Sequence, residues 1–331
     1  MSARVLGARA GNTRLRLGIA LVLLVLAVMP WVLDPFRLSI LAKTISFAMF
    51  AVSLDLLWGI AGVFSFGHAA FFGVGAYALA LITRDFTFPG VSYVGVLAAM
   101  ILPALLALGV GYFTFYGKVA GAYFAIVTLA VSLILFQLAN TWVGLTGGHN
   151  GLFPVPPLTL GIPGLAEFTF DTPTKVYYLQ LSLLALVLVV SIAVVRSKFG
   201  QALVAMEWNE SRASFFGYDT SALKLIVFTI SGAIAGLAGG TFATIEGFVN
   251  PAILGIALST QVIIWVILGG RGTLVGPVVG ALVVAFLEDY LSGTFLQAWL
   301  LILGGLLLLA VLFRPEGLLG GPRMRRLIGT R

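Results

Sequence analysis

LSILAKTISFAMFAVSLDLLWGIAGVFSFGHAAFFGVGAYALALI, residues 38–82, carries two charged side chains, Lys43 and Asp55, in a run that is otherwise apolar, small or hydroxyl-bearing apart from His68. About 20 apolar residues cross a bilayer as a helix, so the run divides into two crossings, Leu38 to Trp58 and Phe66 to Ile82. Between them Gly59-Ile60-Ala61-Gly62-Val63-Phe64-Ser65-Phe66-Gly67-His68 sets three glycines, a serine and a histidine where helix would otherwise continue. Each glycine weakens a helix by about 1 kcal/mol, which predicts a broken or re-entrant segment near 59–73. Irregular backbone at membrane depth persists only where it is buried in protein or lines a watery cavity, so Ser65 and His68 are candidate pathway residues. The competing reading gives His68 a packing role and has Gly73, Gly75 and Ala76 bring helices close together.

Working outward, the whole chain of 331 residues is 60% hydrophobic and 9% charged, with mean hydropathy +1.10, too little polar surface for a water-soluble fold. Eight further apolar segments can be drawn: Leu17 to Leu33, Tyr93 to Phe115, Val119 to Trp142, Val176 to Val195, Leu223 to Ile245, Ile253 to Leu268, Leu274 to Tyr290 and Phe295 to Phe313. The expected fold is therefore an all-α integral membrane protein of about ten transmembrane helices. One transmembrane domain occupies residues 17–313, between a cytoplasmic N-terminal tail, 1–16, and a cytoplasmic C-terminal tail, 314–331. The first run follows Arg4, Arg9, Arg14 and Arg16 in the manner of a secretory signal, but no small-residue cleavage pattern follows, and it reads as a retained helix.

Charge orients this scheme. With the N-terminus inside, fifteen of the nineteen Lys and Arg fall on the cytoplasmic side, and only Arg37, Lys43, Arg84 and Lys175 fall outside, as the positive-inside rule requires. The net charge of +7 then reflects orientation and attraction to anionic lipid, not nucleic acid. Asp34, Asp85, Glu167, Asp171, Glu246, Glu288 and Asp289 make the outer face acidic, which suits either a basic docking partner or simple solvation. Asp55, near the inner end of its span, is expected to reach inner-surface water.

Catalytic chemistry has no foothold. There is no cysteine, there are two histidines, and no GxSxG, HExxH or Walker A pattern occurs, so neither a metal centre nor bound nucleotide is expected. Gly269-Gly270-Arg271-Gly272-Thr273-Leu274-Val275-Gly276 lacks the lysine of a phosphate loop and reads as a tight cytoplasmic turn. A loose spacing match, Trp58, Gly62, Gly67 and Gly75-Ala76 against Trp265, Gly269, Gly276 and Gly280-Ala281, hints at a repeat. Two connections are long. Thr141 to Lys175 is rich in Gly and Pro and lies outside. The inner loop, 196–222, contains Glu207 to Asp219, which reads as one short helix ended by Gly217, with Trp208, Phe215 and Phe216 as exposed aromatics that anchor a partner or lie on the membrane interface.

At these residues the chain resembles the membrane subunit of branched-chain amino-acid type importers driven by ATP-binding cassettes, the hydrophobic amino-acid and urea/amide group. The resemblance runs from about Ala51 to Gly320. It rests on residues 65–73, residues 121–130, the Thr146-Gly147-Gly148-His149-Asn150-Gly151-Leu152 loop, residues 232–240 and residues 268–280. It implies that Glu210, Ser211, Arg212, Phe215, Phe216 and Gly217 form a helix that fits a groove in the ATP-hydrolysing subunit, although Ser211 and Arg212 replace the usual alanines. Thr128 and Asn150, which stand in two of these blocks, and Gln261 join Ser65 and His68 as candidates for the translocation pathway. The implied partners are a second homologous permease subunit, two cytoplasmic ATPases that hold ATP and Mg, and an external solute-binding protein, in a bacterial inner membrane. Thr128-Leu129-Ala130, Thr146-Gly147-Gly148 and Arg314-Pro315-Glu316-Gly317 look like amino-acid members. Residues 54–59, 210–212 with 217–219, and 264–265 with 270–273 lean toward urea and amide members. An ion-coupled secondary transporter using Asp55 and His68 is the rival reading.

Overall fold

A computed structural model describes residues 22–162, 166–294, 301, 302, 304, 305, 308, 312, 313 and 316–319. The N-terminal tail, most of the last expected span and most of the C-terminal tail lie outside the described residues. The chain is helical almost throughout. In order come α1 (Val22–Trp31), α2 (Pro35–Leu54), α3 (Ala69–Asp85), α4 (Val91–Tyr116), α5 (Ala122–Thr141), α6 (Val143–Thr146), α7 (Pro173–Arg196), α8 (Lys198–Trp208), α9 (Glu210–Phe215), α10 (Thr220–Glu246), α11 (Ile256–Gly269) and α12 (Val275–Thr294). A small antiparallel hairpin, β1 (Thr159–Ile162) and β2 (Ala166–Thr169), interrupts the long connection before α7.

Six of these helices are long and apolar enough to cross a membrane: α2 with its continuation to Ile60, α4, α5, α7, α10 and α12. Helix α2 is the axis, with α7, α10, α11 and α12 packed around it. It begins sharply because the Asp34 carboxylate caps the Arg37 N–H and Pro35 occupies the first turn. At its other end it loosens into a wider, π-type turn over Asp55–Ile60 before the chain leaves helical geometry.

Two expected spans are not continuous helices. Residues 61–68 are non-helical and α3 starts only at Ala69, so the break predicted near 59–73 is present. The span expected over Ile253 to Leu268 is a 3-10 turn, Pro251–Leu254, followed by α11. The hinted repeat does not extend to conformation. Helices α11 and α12 form a tight hairpin in which Gly280 abuts the Trp265 carbonyl, whereas 61–68 is a non-helical connection.

Helices α3, α4 and α10 form the tightest part of the bundle, because small residues line their crossings. A Cβ added to Gly75 would fall 2.1 Å from the Gly236 carbonyl oxygen, and one added to Gly236 would fall 2.2 Å from the Ala99 carbonyl oxygen. Backbone therefore meets backbone here, and no side chain can yield. Beside this contact Phe71, Phe115, Phe124 and Phe228 pack as stacked and edge-on rings with centroids 4.8–5.8 Å apart.

The charges sort cleanly. Arg37, Lys43, Arg84 and Lys175, the four bases assigned outside, pair with Asp34, Glu246, Asp85 and Asp171, all assigned to the same side. Lys224–Glu210 and Arg271–Glu207 join residues assigned to the other. The hydrogen bond from Lys175 holds the Asp171 carboxyl below its ordinary pKa.

Gly236→Leu should abolish recovery of folded protein from detergent-extracted membranes, whereas Gly109→Leu on α4 should be tolerated, since nothing lies within 4 Å of its added Cβ. Monodisperse elution of the Gly236 variant at the wild-type position would refute this account of the crossing.

Candidate functional site

The two interruptions meet. Thr128, the seventh of twenty residues in α5, turns its hydroxyl oxygen to the backbone N–H groups of Phe66 (3.1 Å) and Gly67 (3.4 Å). Ser132, one turn on, donates to the Leu254 carbonyl at 2.5 Å. Ser259 on α11 accepts from the Ala69 N–H at 3.2 Å. The starts of α3 and α11 thus lie side by side against the middle of α5, and hydroxyls take up backbone groups that a continuous helix would have paired.

The approaches are opposed. Ser231 contacts Ser53 while Glu246 contacts Lys43, so α2 and α10 run antiparallel. Segment 61–68 therefore enters from the C-terminal end of α2, and segment 247–255 from its N-terminal end. Helices α3 and α11 then leave the middle in opposite directions.

His68 is fully buried between them. Its Nε2 lies 2.9 Å from the Ser53 Oγ and 3.3 Å from the Ser231 Oγ, and its ring stacks on Phe50. It joins α2, the break and α10. Ser65 is also fully buried, and its Oγ has no hydrogen-bond partner among the described residues. Of the five pathway candidates, Ser65, His68 and Thr128 are brought together here. Asn150 lies exposed on the loop that the Leu152–Val249 bridge ties to the segment after α10, and Gln261 lies exposed on α11. Ser53, Ser132, Ser231 and Ser259 were missed by sequence reading; their signal was a hydroxyl in an apolar helix.

Asp55 corrects an expectation. It does not reach water: it is fully buried, and its carboxylate accepts from the Gly272 N–H at 2.6 Å and the Leu274 N–H at 2.9 Å. These donors precede α12, so Asp55 closes the α11–α12 turn onto α2 and sits at the positive end of α12. Leu274 adopts φ +60° there, which an unbranched-Cβ residue tolerates only when its neighbours hold it.

Beside the break lies the connection between α7 and α10. Instead of one short helix over Glu207 to Asp219 there are two, because Asn209 turns the chain and caps α9 through Arg212 N–H at 2.9 Å. Glu210, Ser211 and Arg212 form the first turn of α9, and Gly217, at φ +87°, turns the chain after it. Phe215 and Phe216 are 93% and 83% exposed. Glu207 packs on the break: its Cγ would lie 2.8 Å from a Cβ at Gly62. Its carboxylate also meets Arg271 at 3.5 Å, whose guanidinium covers the Trp58 ring. A cavity of about 260 Å³ is lined by residues 61–64, the α4–α5 turn and residues 206–210. Among the described residues no cluster of three or more His, Asp or Glu fit to hold a metal ion occurs.

Residues 36–312 match the family model described as the permease component of branched-chain amino acid transport systems. The chain belongs to this permease family. Among its relatives, the high-affinity branched-chain amino acid permease LivM of Escherichia coli strain K12 is 30% identical over 319 residues, covering 90% of this chain and 73% of LivM. LivH of Salmonella typhimurium is 26% identical, covering 85% of this chain and 93% of LivH. The autoinducer 2 import permease LsrC of Yersinia pseudotuberculosis is 28% identical over 71% of this chain and 70% of LsrC. No solved structure matches the chain. The relatives are transport components, not enzymes, and this permease accordingly offers a scaffold with two broken helices rather than a reactive constellation.

Asp55→Ala should strip two buried N–H groups of their acceptor and cost this permease about 3 kcal/mol. The check is thermal unfolding in detergent, where Asp55→Asn, which keeps one acceptor oxygen, should fall between the alanine variant and the wild type.

Proposed function

We propose that this permease forms half of the membrane channel of an ATP-binding-cassette importer in a bacterial inner membrane, moving branched-chain or other small amino acids delivered by an external solute-binding protein. The other half is a second homologous permease, and two cytoplasmic ATPases supply the energy and hold ATP and Mg. The chain crosses ten times with both termini inside. Helices α3 and α11 complete their crossings with non-helical chain, and residues 196–222 face the cytoplasm. The six ion pairs among the described residues each join residues assigned to one face, which supports this topology.

One observation carries the coupling assignment: Phe215 at the end of α9 and Phe216 just after it are both largely exposed, while Glu207 just before α9 leans on the break at Gly62 and on Arg271. A motor gripping Phe215 and Phe216 would pull on the first interruption and on the α11–α12 turn through Glu207. Substrate would pass beside Ser65, His68 and Thr128 as the breaks move in alternating access. Amino acids are favoured as cargo because LivM and LivH are named for branched-chain amino acid transport.

Phe215→Glu with Phe216→Glu should leave the chain inserted but lower substrate-stimulated ATP hydrolysis by about tenfold or more in proteoliposomes, as expected for loss of two aromatic anchors. Uptake and stimulation at wild-type levels would remove α9 from the coupling role.

A further inference from the structure

We propose that Lys43 and Glu246, with the rings of Phe47 and Phe242 one turn away, form a recognition site for the carboxylate and ammonium groups of an apolar α-amino acid. The site lies toward the N-terminal end of α2. This rests on the importer reading above and adds to it the residues that would sense the substrate's charge.

The ion pair is unlike the other five described. Those place each partner in a loop or within four residues of a helix end, whereas Lys43 lies eight residues past Pro35, about 12 Å along a spanning helix. A cation at that depth is costly, and such groups mark substrate or ion routes by default. As a mere tie between helices, an apolar pair would serve as well. Nor is the pair sealed away: Lys43 and Glu246 are 34% and 30% exposed, although their charges meet at 2.7 Å.

The surroundings match the rest of the ligand. Lys43 and Phe47 stand four residues apart on α2, as do Phe242 and Glu246 on the antiparallel α10, so each helix sets a charge one turn from a ring. The rings meet at 5.1 Å, and Phe72 and the buried Trp265 extend them into a four-ring cluster. An entering zwitterion can exchange partners with the pair, its carboxylate taking Lys43 and its ammonium taking Glu246, without leaving a net charge in the apolar zone. Its side chain then falls on Phe47 and Phe242, and the ammonium gains a ring face. Urea or a simple amide has no charges to offer in exchange.

The test uses the importer reconstituted with its companion subunits and binding protein, following leucine uptake. Lys43→Met and Glu246→Gln should each lower it about tenfold or more, and Lys43→Arg should stay within about threefold of wild type. The exchanged pair, Lys43→Glu with Glu246→Lys, restores the ion pair but reverses its polarity relative to the ring cluster, and should remain impaired. Recovery in the exchanged pair would mark Lys43–Glu246 as a structural tie and overturn the site, as would unchanged uptake in properly assembled single variants. Should Lys43→Met fail to accumulate, titration of the wild-type complex without binding protein decides: leucine should bind about tenfold or more tighter than leucinamide, and equal binding overturns the proposal. Absence of any amino-acid uptake by the wild-type importer would instead bring down the importer reading, and this site with it.

Discussion

A backbone amide at the centre of an apolar bundle has no water to turn to, and the architecture follows from how this chain meets that demand twice. Helices satisfy their own interior groups, so a chain that must interrupt them in mid-bundle has to import hydrogen-bond partners. Thr128, Ser132 and Ser259 are those partners at the two breaks, and the Asp55 carboxylate serves the α11–α12 turn in the same way. Each is a small side chain on a helix facing the interruption, which fixes the break in register with its neighbour and not merely in contact with it.

The bundle is thereby divided in its mechanics. Helices α3, α4 and α10 meet backbone to backbone through Gly75 and Gly236, leaving no slack for sliding. Helix α5 is the least buried of the six long apolar helices. Yet α5 carries Thr128 and Ser132, and so touches both interruptions. A rigid block beside a lightly packed helix that holds both breaks is an arrangement in which displacement of one element changes the middle of the bundle without unpacking the rest.

Legibility in the sequence followed the range of the physics. Apolar segments announced themselves through composition, and the break near residue 61 through glycine density, because both are local properties. Where the breaks lead is not local. Sequence separations of 62 residues for Phe66 with Thr128 and 217 for Asp55 with Gly272 carry no periodic signal, so Asp55 read as a solvated helix end when it is the acceptor of a distant turn. The second break was missed for a related reason: residues 247–255 hold Pro and Gly that read as an ordinary outer turn, and only the hydroxyls of α5 reveal how far that turn descends. Among the pathway candidates, Ser65 and His68 came from the glycine-dense segment and Thr128 from the block at 121–130, and the fold places all three at the first break. Asn150, from the block at 146–152, and Gln261 are left exposed and apart.

The two ends of the bundle also differ in how their charges are held. At one end Glu207 contacts Gly62 of the first break and Arg271 of the α11–α12 turn, so one side chain on α8 bears on both. At the other, Lys43 and Glu246 bridge α2 and α10 above the aromatic cluster. Between these ends run Ser53, His68 and Ser231, which join the same two helices by neutral hydrogen bonds. Neutral bonds in the middle keep α2 and α10 in register without the desolvation cost of a buried charge. A shift imposed at Glu207 acts directly on Gly62, where the chain has no helical ladder to resist it, and on Arg271. Helices α2 and α10 run unbroken from that end to Lys43 and Glu246, so they carry the shift to the pair as levers while the non-helical chain between α2 and α3 takes up the deformation.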